Sequence, residues 1–412
     1  MVKTKSSKVA VCRSNSSGFK ARGPHSPVFA RNQRKGLRPV PTMCKEAGQD
    51  VGGRKEYLTK PFSKWTEEEK SSTDCNLEVH HPRHEMHFMI PRLPVEWMVK
   101  KDIDWPIAHL LINATLVIQP LAAFAWWTNS HLAGIFYLLV VLTQFHGRLI
   151  LMMHYATHCN AFKGHWQTWA CHVMPAFIGL PPGLYRAHHC LMHHGEGNIH
   201  PKDLSSTEPY QRDKLSHFIH YWLRFAVGIW VELPIYAFMK GEVKLGLQVT
   251  ASALAYVALV QQLWVNNQIG LLYVFGLYMP INSFLLMFGN WGQHIFINPE
   301  CPKSPYGYTY NILNSPPNLE ILNDGFHIEH HLNSIKHWAS FPSSFQKNLP
   351  KYKEHDALLF HSLDFFGVSF LVLSGQMERL EKYRLSEKAT WPLRVSLKDR
   401  LKPIVHQEKK LA

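Results

Sequence analysis

Apolar stretches with almost no charge dominate the middle of this 412-residue chain. Residues 106–128, 245–264 and 269–289 contain no Asp, Glu, Lys or Arg, and residues 134–153 carry only one histidine and one arginine besides uncharged side chains. About 20 apolar residues are enough for a helix to cross the hydrocarbon core of a membrane. The sequence therefore predicts an all-α integral membrane protein with four transmembrane helices arranged as two hairpins.

A further apolar stretch, residues 223–239, is interrupted by Arg224, Glu232 and Pro234. Charges and a proline inside a span are unfavourable in lipid. We therefore expect an interfacial or half-inserted helix here, and not a fifth span.

The distribution of basic residues predicts the orientation of the spans. Lys and Arg flank the outer ends of both predicted hairpins, whereas the two predicted turns, residues 129–134 and 265–268, carry none. Basic loops favour the cytoplasmic side of a membrane. Both termini and residues 154–244 are then expected on one face, where they form a histidine-rich cap facing the cytosol or the stroma.

The N-terminal segment is strongly basic. Residues 1–60 hold 14 Lys and Arg against three acids, and the first 45 residues contain no acid. This composition resembles an organellar transit peptide; the alternative is a disordered basic tail on an anionic membrane surface. The final KKLA resembles a dilysine retrieval signal of the endoplasmic reticulum. The sequence thus leaves a plastid membrane and the endoplasmic reticulum membrane as alternatives.

Four segments are expected along the chain. Residues 1–60 are predicted to be disordered, residues 61–105 to precede the membrane, residues 106–345 to form the membrane domain, and residues 346–412 to form a C-terminal tail.

The seven cysteines form no CxxC pair. This argues against a disulfide scaffold, a zinc ribbon or an iron–sulfur cluster.

Histidines gather in three clusters, "HYATH", "HHCLMHH" and "HIEHH", beside or between the apolar stretches. Helical spacing brings residues i and i+4 to one face. In the second cluster it places His189 and His193 on one face, with His194 about 100° round the helix. The candidate ligands are His154 and His158, then His189, His193 and His194, and then His327, His330 and His331.

These clusters predict a metal site. The chain has 27 histidines, so a single HxxxH pair is readily a chance or surface pair. Three clusters at one predicted membrane face are harder to explain by solvation, since imidazoles near a bilayer need partners. An imidazole shell suits iron, zinc or copper better than Mg or Ca. Eight histidines exceed what one ion binds, so two metals are implied.

The order HxxxH, HxxxHH and HxxHH resembles the membrane-bound fatty acid desaturase and hydroxylase superfamily over residues 90–345. This resemblance implies a ninth ligand after the last span, for which "FGNWGQH" supplies His294. It also implies a water-mediated ligand one turn earlier, at Asn290. His188 is an alternative to His189, although the HxxxHH spacing favours His189.

The resemblance implies two iron ions that activate O2, and no catalytic residue beyond the metal ligands. Imidazole N–H groups usually have outer partners. The candidates for this role are Glu329, Asp324 and Asn198, together with Glu196 and Asp203.

By this resemblance the chain is an O2-dependent acyl-lipid or acyl-thioester desaturase. A fatty acid, carotenoid or sterol hydroxylase or ketolase is the alternative, because both reactions begin with removal of one hydrogen.

No His-Pro-Gly-Gly motif of cytochrome b5 is present, so ferredoxin or cytochrome b5 is expected as a separate electron donor. No nucleic-acid partner is expected. A zinc transporter is a remote alternative. Transporters place their ligands near the bilayer midplane within broken helices, whereas these histidine clusters fall outside the predicted spans.

Overall fold

The computed structural model describes residues 93–315, 318, 322–385 and 390–404. The predictions for the basic N-terminal segment, for residues 61–92 and for the C-terminal dilysine lie outside these residues. The described part is mostly helical, with little strand.

The chain order of the elements is as follows. The helices are α1 (Trp105–Thr128), α2 (His131–Cys159), α3 (His165–Thr168), α4 (Arg186–His193), α5 (Leu215–Gly228), α6 (Glu232–Met239), α7 (Val243–Val265), α8 (Ile269–Gln293), α9 (Pro305–Tyr308), α10 (His327–Leu332), α11 (Phe341–Glu354), α12 (Phe365–Leu373) and α13 (Met377–Glu381). The strands are β1 (Asn311–Leu313) and β2 (Leu359–His361).

Several helices change their winding along their length. Helix α2 contains a π-helical stretch at Val141–Phe145, and α8 contains one at Leu272–Leu277. Helix α3 continues as a π-helix over Trp169–Val173 and then as a 3-10 helix over Met174–Ile178. Helix α4 is π-helical throughout, and one α-helical turn, His194–Glu196, follows it. Single 3-10 turns lie at Glu96–Met98, Asp102–Asp104, Trp338–Ser340 and Asp399–Leu401.

Within the described residues, four helices are long and apolar enough to cross a membrane: α1, α2, α7 and α8. These four helices are the four predicted spans of an integral membrane protein, and the bent pair α5 and α6 passes the same test when it is taken as one span. Helix α1 ends at Thr128 and is followed by Asn129, whose left-handed backbone (φ 44°) turns the chain, and Ser130 Oγ caps α2 by accepting from Ala133 N at 3.2 Å. The turn is therefore shorter than predicted, since the helix resumes at His131.

The turn between α1 and α2 contacts the turn between α7 and α8. Asn129 Nδ2 donates to Asn267 O at 2.9 Å, and Gly270 N donates to Asn129 Oδ1 at 3.3 Å. A Cβ atom on Gly270 would lie 1.9 Å from Ala125 O, so α8 approaches α1 at backbone distance there. Both turns thus lie at one end of the helices. The arrangement of the spans as two hairpins remains a prediction.

The opposite ends of α1 and α2 meet the segment after the third histidine cluster. Asp104, just before α1, accepts hydrogen bonds from Tyr155 Oη at 3.3 Å and from Trp338 Nε1 at 3.0 Å. Because Tyr155 belongs to the first cluster and Trp338 follows the third, both clusters lie at the end of the helices away from the turns.

Helices α5 and α6 form a pair that bends by 64°. The ion pair between Arg224 Nη2 and Glu232 Oε2, 3.0 Å long, spans the bend. The outer side of the pair exposes Leu223, Val227 and Val231. The single apolar segment predicted over residues 223–239 is thus two helices, of which the first begins at Leu215. Their position at the membrane interface remains a prediction.

Described residues beyond 345 pack on the membrane helices. Helix α11 crosses the predicted boundary at 345, and β2 pairs in parallel with β1 through Asn311 and Leu359. Ser369 Oγ of α12 donates to Phe288 O of α8 at 3.0 Å. The domain boundaries stay a prediction, but this C-terminal part contributes walls to the site described next.

Candidate metal centre

The first cluster lies in the last turns of α2. His154 and His158 are four residues apart, and the centroids of their rings lie 5.1 Å from each other. Regular α-helix puts side chains at this spacing on one face. Both imidazoles therefore point toward the second and third clusters.

The second cluster departs from the α-helical spacing that the sequence predicts. It occupies the π-helix α4, whose turns are wider than α-helical turns, so that residues five apart as well as four apart come close together. His189 Nε2 consequently lies 3.1 Å from His194 Nε2, while His193 turns to another group. The rings of His189 and His193 stack with centroids 5.5 Å apart, as the shared face predicts, but the two residues belong to different groups.

Five histidines converge, and four of them form a closed ring of Nε2 atoms. The ring distances are 3.1 Å from His154 to His189, 3.1 Å from His189 to His194, 2.8 Å from His194 to His330 and 2.9 Å from His330 to His154. His158 completes the set, which we call the five-histidine group: His154, His158, His189, His194 and His330.

The spacing of these nitrogens fits one shared cation. Imidazole nitrogens bind transition metals at about 2.0–2.1 Å. Two ligands 90° apart at that length are separated by about 3.0 Å, which is the spacing around the ring. Each Nε2 of the ring also has two nitrogen neighbours at hydrogen-bond distance, whereas a neutral Nε2 has one proton or one lone pair to offer. A shared cation satisfies all four nitrogens at once.

A second set lies beside the first. We call His193, His294 and His331 the three-histidine group. Their ring centroids are 4.8–5.1 Å apart. His327 adjoins this group, with its Nε2 3.2 Å from His331 Nε2. The nine predicted histidines therefore fall into sets of five and four.

Two pairs of consecutive histidines divide between the sets. His193 belongs to the three-histidine group and His194 to the five-histidine group, while His331 and His330 divide in the same way. The rings of His194 and His331 stack with centroids 4.5 Å apart. The two sets are therefore in direct contact, as a centre with two neighbouring metals requires.

The outer nitrogens of the three-histidine group are held by fixed partners. His193 Nδ1 lies 2.8 Å from Asp203 Oδ2, and His294 Nδ1 donates to Tyr308 O at 3.0 Å. These contacts place the protons on Nδ1, which leaves each Nε2 as a lone pair. Both Nε2 atoms are buried without a hydrogen-bond partner among the described residues. Such orphaned acceptors fit a metal.

Burial keeps these imidazoles in the neutral form that binds metals. It lowers the pKa of His294 to about 3, with repulsion by His193 adding to the effect. Burial and then repulsion by His327 lower the pKa of His331, and burial and then repulsion by His154 lower that of His330. Burial alone would raise the pKa of Asp203, but His193 outweighs it and holds that pKa below its usual range.

The predicted orienting residues have varied surroundings. Asn290 Nδ2 donates to Ser205 O at 3.2 Å and to Tyr221 Oη at 2.7 Å. Asn198 Oδ1 accepts from Thr207 N at 2.9 Å, and Thr207 Oγ1 donates to His294 O at 2.7 Å. Asn198 thus fixes the backbone of a candidate ligand and not its ring.

The acidic candidates Glu329 and Asp324 differ in their hydrogen-bond partners. The fully buried Glu329 accepts from Ser344 Oγ, from Asn348 Nδ2 at 3.1 Å and from Tyr352 Oη at 3.0 Å. Among the described residues, none of its hydrogen bonds reaches an imidazole, so it anchors α10 to α11. Asp324 Oδ2 accepts from Gln293 Nε2 at 3.4 Å.

The remaining candidate, Glu196, contacts the end of α6. It accepts from Tyr236 Oη at 2.5 Å and pairs with Lys240 Nζ at 2.7 Å. His188, the alternative in the second cluster, stands outside both groups and packs against Phe225, with ring centroids 4.8 Å apart.

An apolar cavity of about 380 Å³ reaches the five-histidine group. Helices α2, α4, α5 and α8 and the start of α12 line it, and His154 and His189 form part of its wall. A smaller cavity of about 30 Å³ lies against His154, His158 and His330 and also touches Asp324. The histidine sets are therefore next to a space that can hold a long apolar molecule.

The sequence does not single out the hydrogen-bond partners of His193 and His294. Asp203 is one of several acids near the second cluster, and no spacing distinguishes it as the partner of His193. Tyr308 holds His294 through its carbonyl oxygen, and its Oη lies 3.4 Å from His331 Nδ1. A backbone contact of this kind leaves no signal in a sequence.

Comparison with known proteins agrees with the geometry of the site. Residues 125–363, more than half of the chain, match the family described as fatty acid desaturase. No match was found among curated proteins. The fold and the histidine sets define an integral membrane oxidoreductase of the desaturase and hydroxylase type with a candidate diiron centre. The chain belongs to the fatty acid desaturase family.

Proposed function

We propose that this chain is a membrane-bound diiron desaturase that uses O2 and an external electron donor to introduce a double bond into the acyl chain of a lipid. The observation that carries this proposal is the apolar cavity ending at His154 and His189. A hydrocarbon segment in this cavity is shielded from water and lies against the five-histidine group. The family membership supports a lipid substrate.

The chain's own residues would hold two irons as neutral imidazole ligands. The five-histidine group would bind one, and the three-histidine group together with His327 would bind the other. Bound there, iron would supply the oxidising power, from O2, to remove hydrogen from an unactivated C–H bond. Asp203 and Tyr308 would hold their imidazoles with Nδ1 protonated and Nε2 available.

The cavity walls would position the substrate. Ile150, Leu184, Phe225 and Ile229 present aliphatic and aromatic surface from four different segments of the chain. Contacts of this kind fix which carbon of a chain lies beside the ligands without any polar recognition of that carbon. Proximity and orientation of this type supply a large share of catalytic power.

Hydroxylation of the same kind of substrate is the second candidate, since the first hydrogen removal is common to both reactions. Expression of the full-length chain in a yeast lacking the activity, followed by gas chromatography and mass spectrometry of total fatty acids, separates the two. A product lighter by two hydrogens supports the proposal. A product heavier by one oxygen supports hydroxylation, and unchanged lipids would count against both.

Metal analysis of the purified chain tests the diiron centre against the remote alternative of zinc transport. Two irons per chain are expected, whereas zinc without iron would refute the enzyme. His330→Ala should abolish product while the protein still accumulates in membranes. His220→Ala, an exposed histidine outside both groups, is the matched control and should keep product formation.

The electron donor follows from the compartment. A plastid enzyme would accept electrons from ferredoxin, and an enzyme of the endoplasmic reticulum from cytochrome b5. Reconstitution of the iron-loaded protein with each donor in turn, with product formation as the readout, distinguishes them.

A further inference from the structure

The apolar cavity contains buried polar atoms that its hydrocarbon-lined walls do not explain. Trp222 Nε1, Asn282 Oδ1 and Ser283 Oγ belong to residues that line the cavity. All three atoms are buried, and none has a hydrogen-bond partner among the described residues. Leaving such groups unpaired is costly, so unpaired polar atoms in residues that line a cavity point to a ligand that pairs with them.

These atoms lie on facing parts of α5 and α8. Asn282 and Ser283 are consecutive on α8, and the next residue, Phe284, packs edge-to-face on Trp222 with ring centroids 5.2 Å apart. Asn282 is only 1% exposed. We call Trp222, Asn282 and Ser283 the polar subsite.

The surroundings of the polar subsite are unusual for the interior of a membrane span. One helical turn before Asn282, Tyr278 Oη lies 3.1 Å from His146 Nδ1, and His146 also lines the cavity. The π-helical stretch of α2 ends just before His146, and that of α8 ends just before Tyr278. Stretches of π-helix occur frequently at functional sites, and a histidine inside a span suggests a function.

The amide of the polar subsite is distant from the candidate ligand end of α8. Asn282 precedes Asn290 by eight residues on the same helix, which corresponds to about 12 Å along its axis. A group bound there is therefore recognised and not oxidised. This distance separates the polar subsite from the site of reaction.

We propose that the polar subsite binds a hydroxyl group on an otherwise apolar acyl chain, so that the substrate already carries one oxygen away from its reacting carbon. This inference rests on the proposed function, because it takes the cavity to be the acyl site. Trp222 Nε1 only donates and Asn282 Oδ1 only accepts, while the Ser283 hydroxyl does both. A hydroxyl accepts from the first and donates to the second.

Charged groups do not suit this place. Among the described lining residues there is no lysine or arginine. A carboxylate or phosphate would have no cation to offset its desolvation. A neutral oxygen is therefore the chemistry that these side chains match.

Competition binding to the purified, iron-loaded, full-length chain in nanodiscs tests the inference. Tritiated methyl octadecanoate, a neutral acyl ester, is the probe, and the competitors are unlabelled methyl octadecanoate and a series of methyl monohydroxy-octadecanoates with the hydroxyl at successive carbons. We expect at least one isomer to bind about tenfold more tightly than methyl octadecanoate, because two hydrogen bonds are gained. Asn282→Leu should remove this preference, and Leu286→Val, on the same cavity wall without a polar group, should keep it.

Each alternative outcome has its own meaning. If the probe binds but every isomer competes no better than methyl octadecanoate, the polar subsite holds only water, and the inference is overturned while the proposed function stands. If Asn282→Leu keeps the preference, the hydroxyl is recognised elsewhere and the assignment is wrong. If the probe does not bind at all, the cavity is no acyl site, and the proposed function fails together with this inference.

Discussion

His193 Nδ1 and Asp203 Oδ2 lie 2.8 Å apart, and both side chains are almost fully buried. The carboxylate holds the proton on Nδ1, so that Nε2 faces His294 and His331 as a lone pair. The pair links the loop after α4 to the metal centre.

Asp203→Asn should weaken metal binding by the three-histidine group about 10- to 100-fold, because the amide no longer fixes the His193 tautomer. Metal titration of the metal-free protein, followed by mass spectrometry of bound iron, measures this affinity. Asp213→Asn, which alters a half-buried carboxylate that accepts from Gln211, is the control. Full wild-type affinity in Asp203→Asn would show that the pair is not needed.

His194→Ala and His188→Ala should differ although the residues lie in one cluster. The π-helix brings His194 into the five-histidine group and leaves His188 outside. We expect the first variant to lose about one metal per chain and the second to retain both. Iron content per chain measures the difference, and equal losses in the two variants would contradict the structure.

Asp324 should make stability depend on pH. Burial raises the pKa of its carboxyl to about 7, against an opposing hydrogen bond from Gln293. Between about pH 4 and pH 7 the folded state therefore holds a proton that the unfolded state has released. The contribution of Asp324 to the free energy of unfolding falls as pH rises through this range.

The variant Asp324→Asn removes this loss. Its stability advantage over the wild type should grow between pH 5 and pH 7 and stay constant above. The comparison cancels the histidines, whose lowered pKa values act in the opposite direction in both proteins. Thermal unfolding in detergent across this range measures the gap, and a gap independent of pH would refute the raised pKa.

Gly270→Ala should destabilise the fold by about 1–3 kcal/mol. The added Cβ would meet Ala125 O at 1.9 Å, a backbone atom of α1 that has little room to move. Gly276→Ala on the same helix meets nothing nearer than 3.4 Å and should be tolerated. The midpoints of thermal unfolding compare the two, and equal midpoints would argue against the close approach of α1 and α8.

Ala226→Phe should block the apolar cavity, which Ala226 lines. We expect product to fall at least about tenfold, since small displacements of a bound substrate are costly, while iron content stays unchanged. Val227→Phe adds a ring at the exposed neighbouring position, 71% exposed, and should retain activity. Normal product formation in Ala226→Phe would mean that the substrate binds elsewhere.

The sequence determined the features that rest on local order. Uncharged stretches such as residues 106–128 gave the spans, because lipid accepts only helices of that length and polarity. The spacing within HxxxH, HxxxHH and HxxHH indicated eight of the nine histidines that the structure brings together, and the resemblance to the family added His294. The bend between α5 and α6 was not predicted from the sequence, because a single apolar segment was expected there.

Only the tertiary structure decided how the histidines divide. In the π-helix α4, His189 and His193 belong to different groups although their rings stack, and nothing in the sequence distinguishes a turn of 3.6 residues from a wider one. The partners Asp203 and Tyr308, and the cavity between α2, α5 and α8, arise from segments far apart in the chain. Spacing along a chain fixes which side chains share a helical face, but only packing fixes which faces meet.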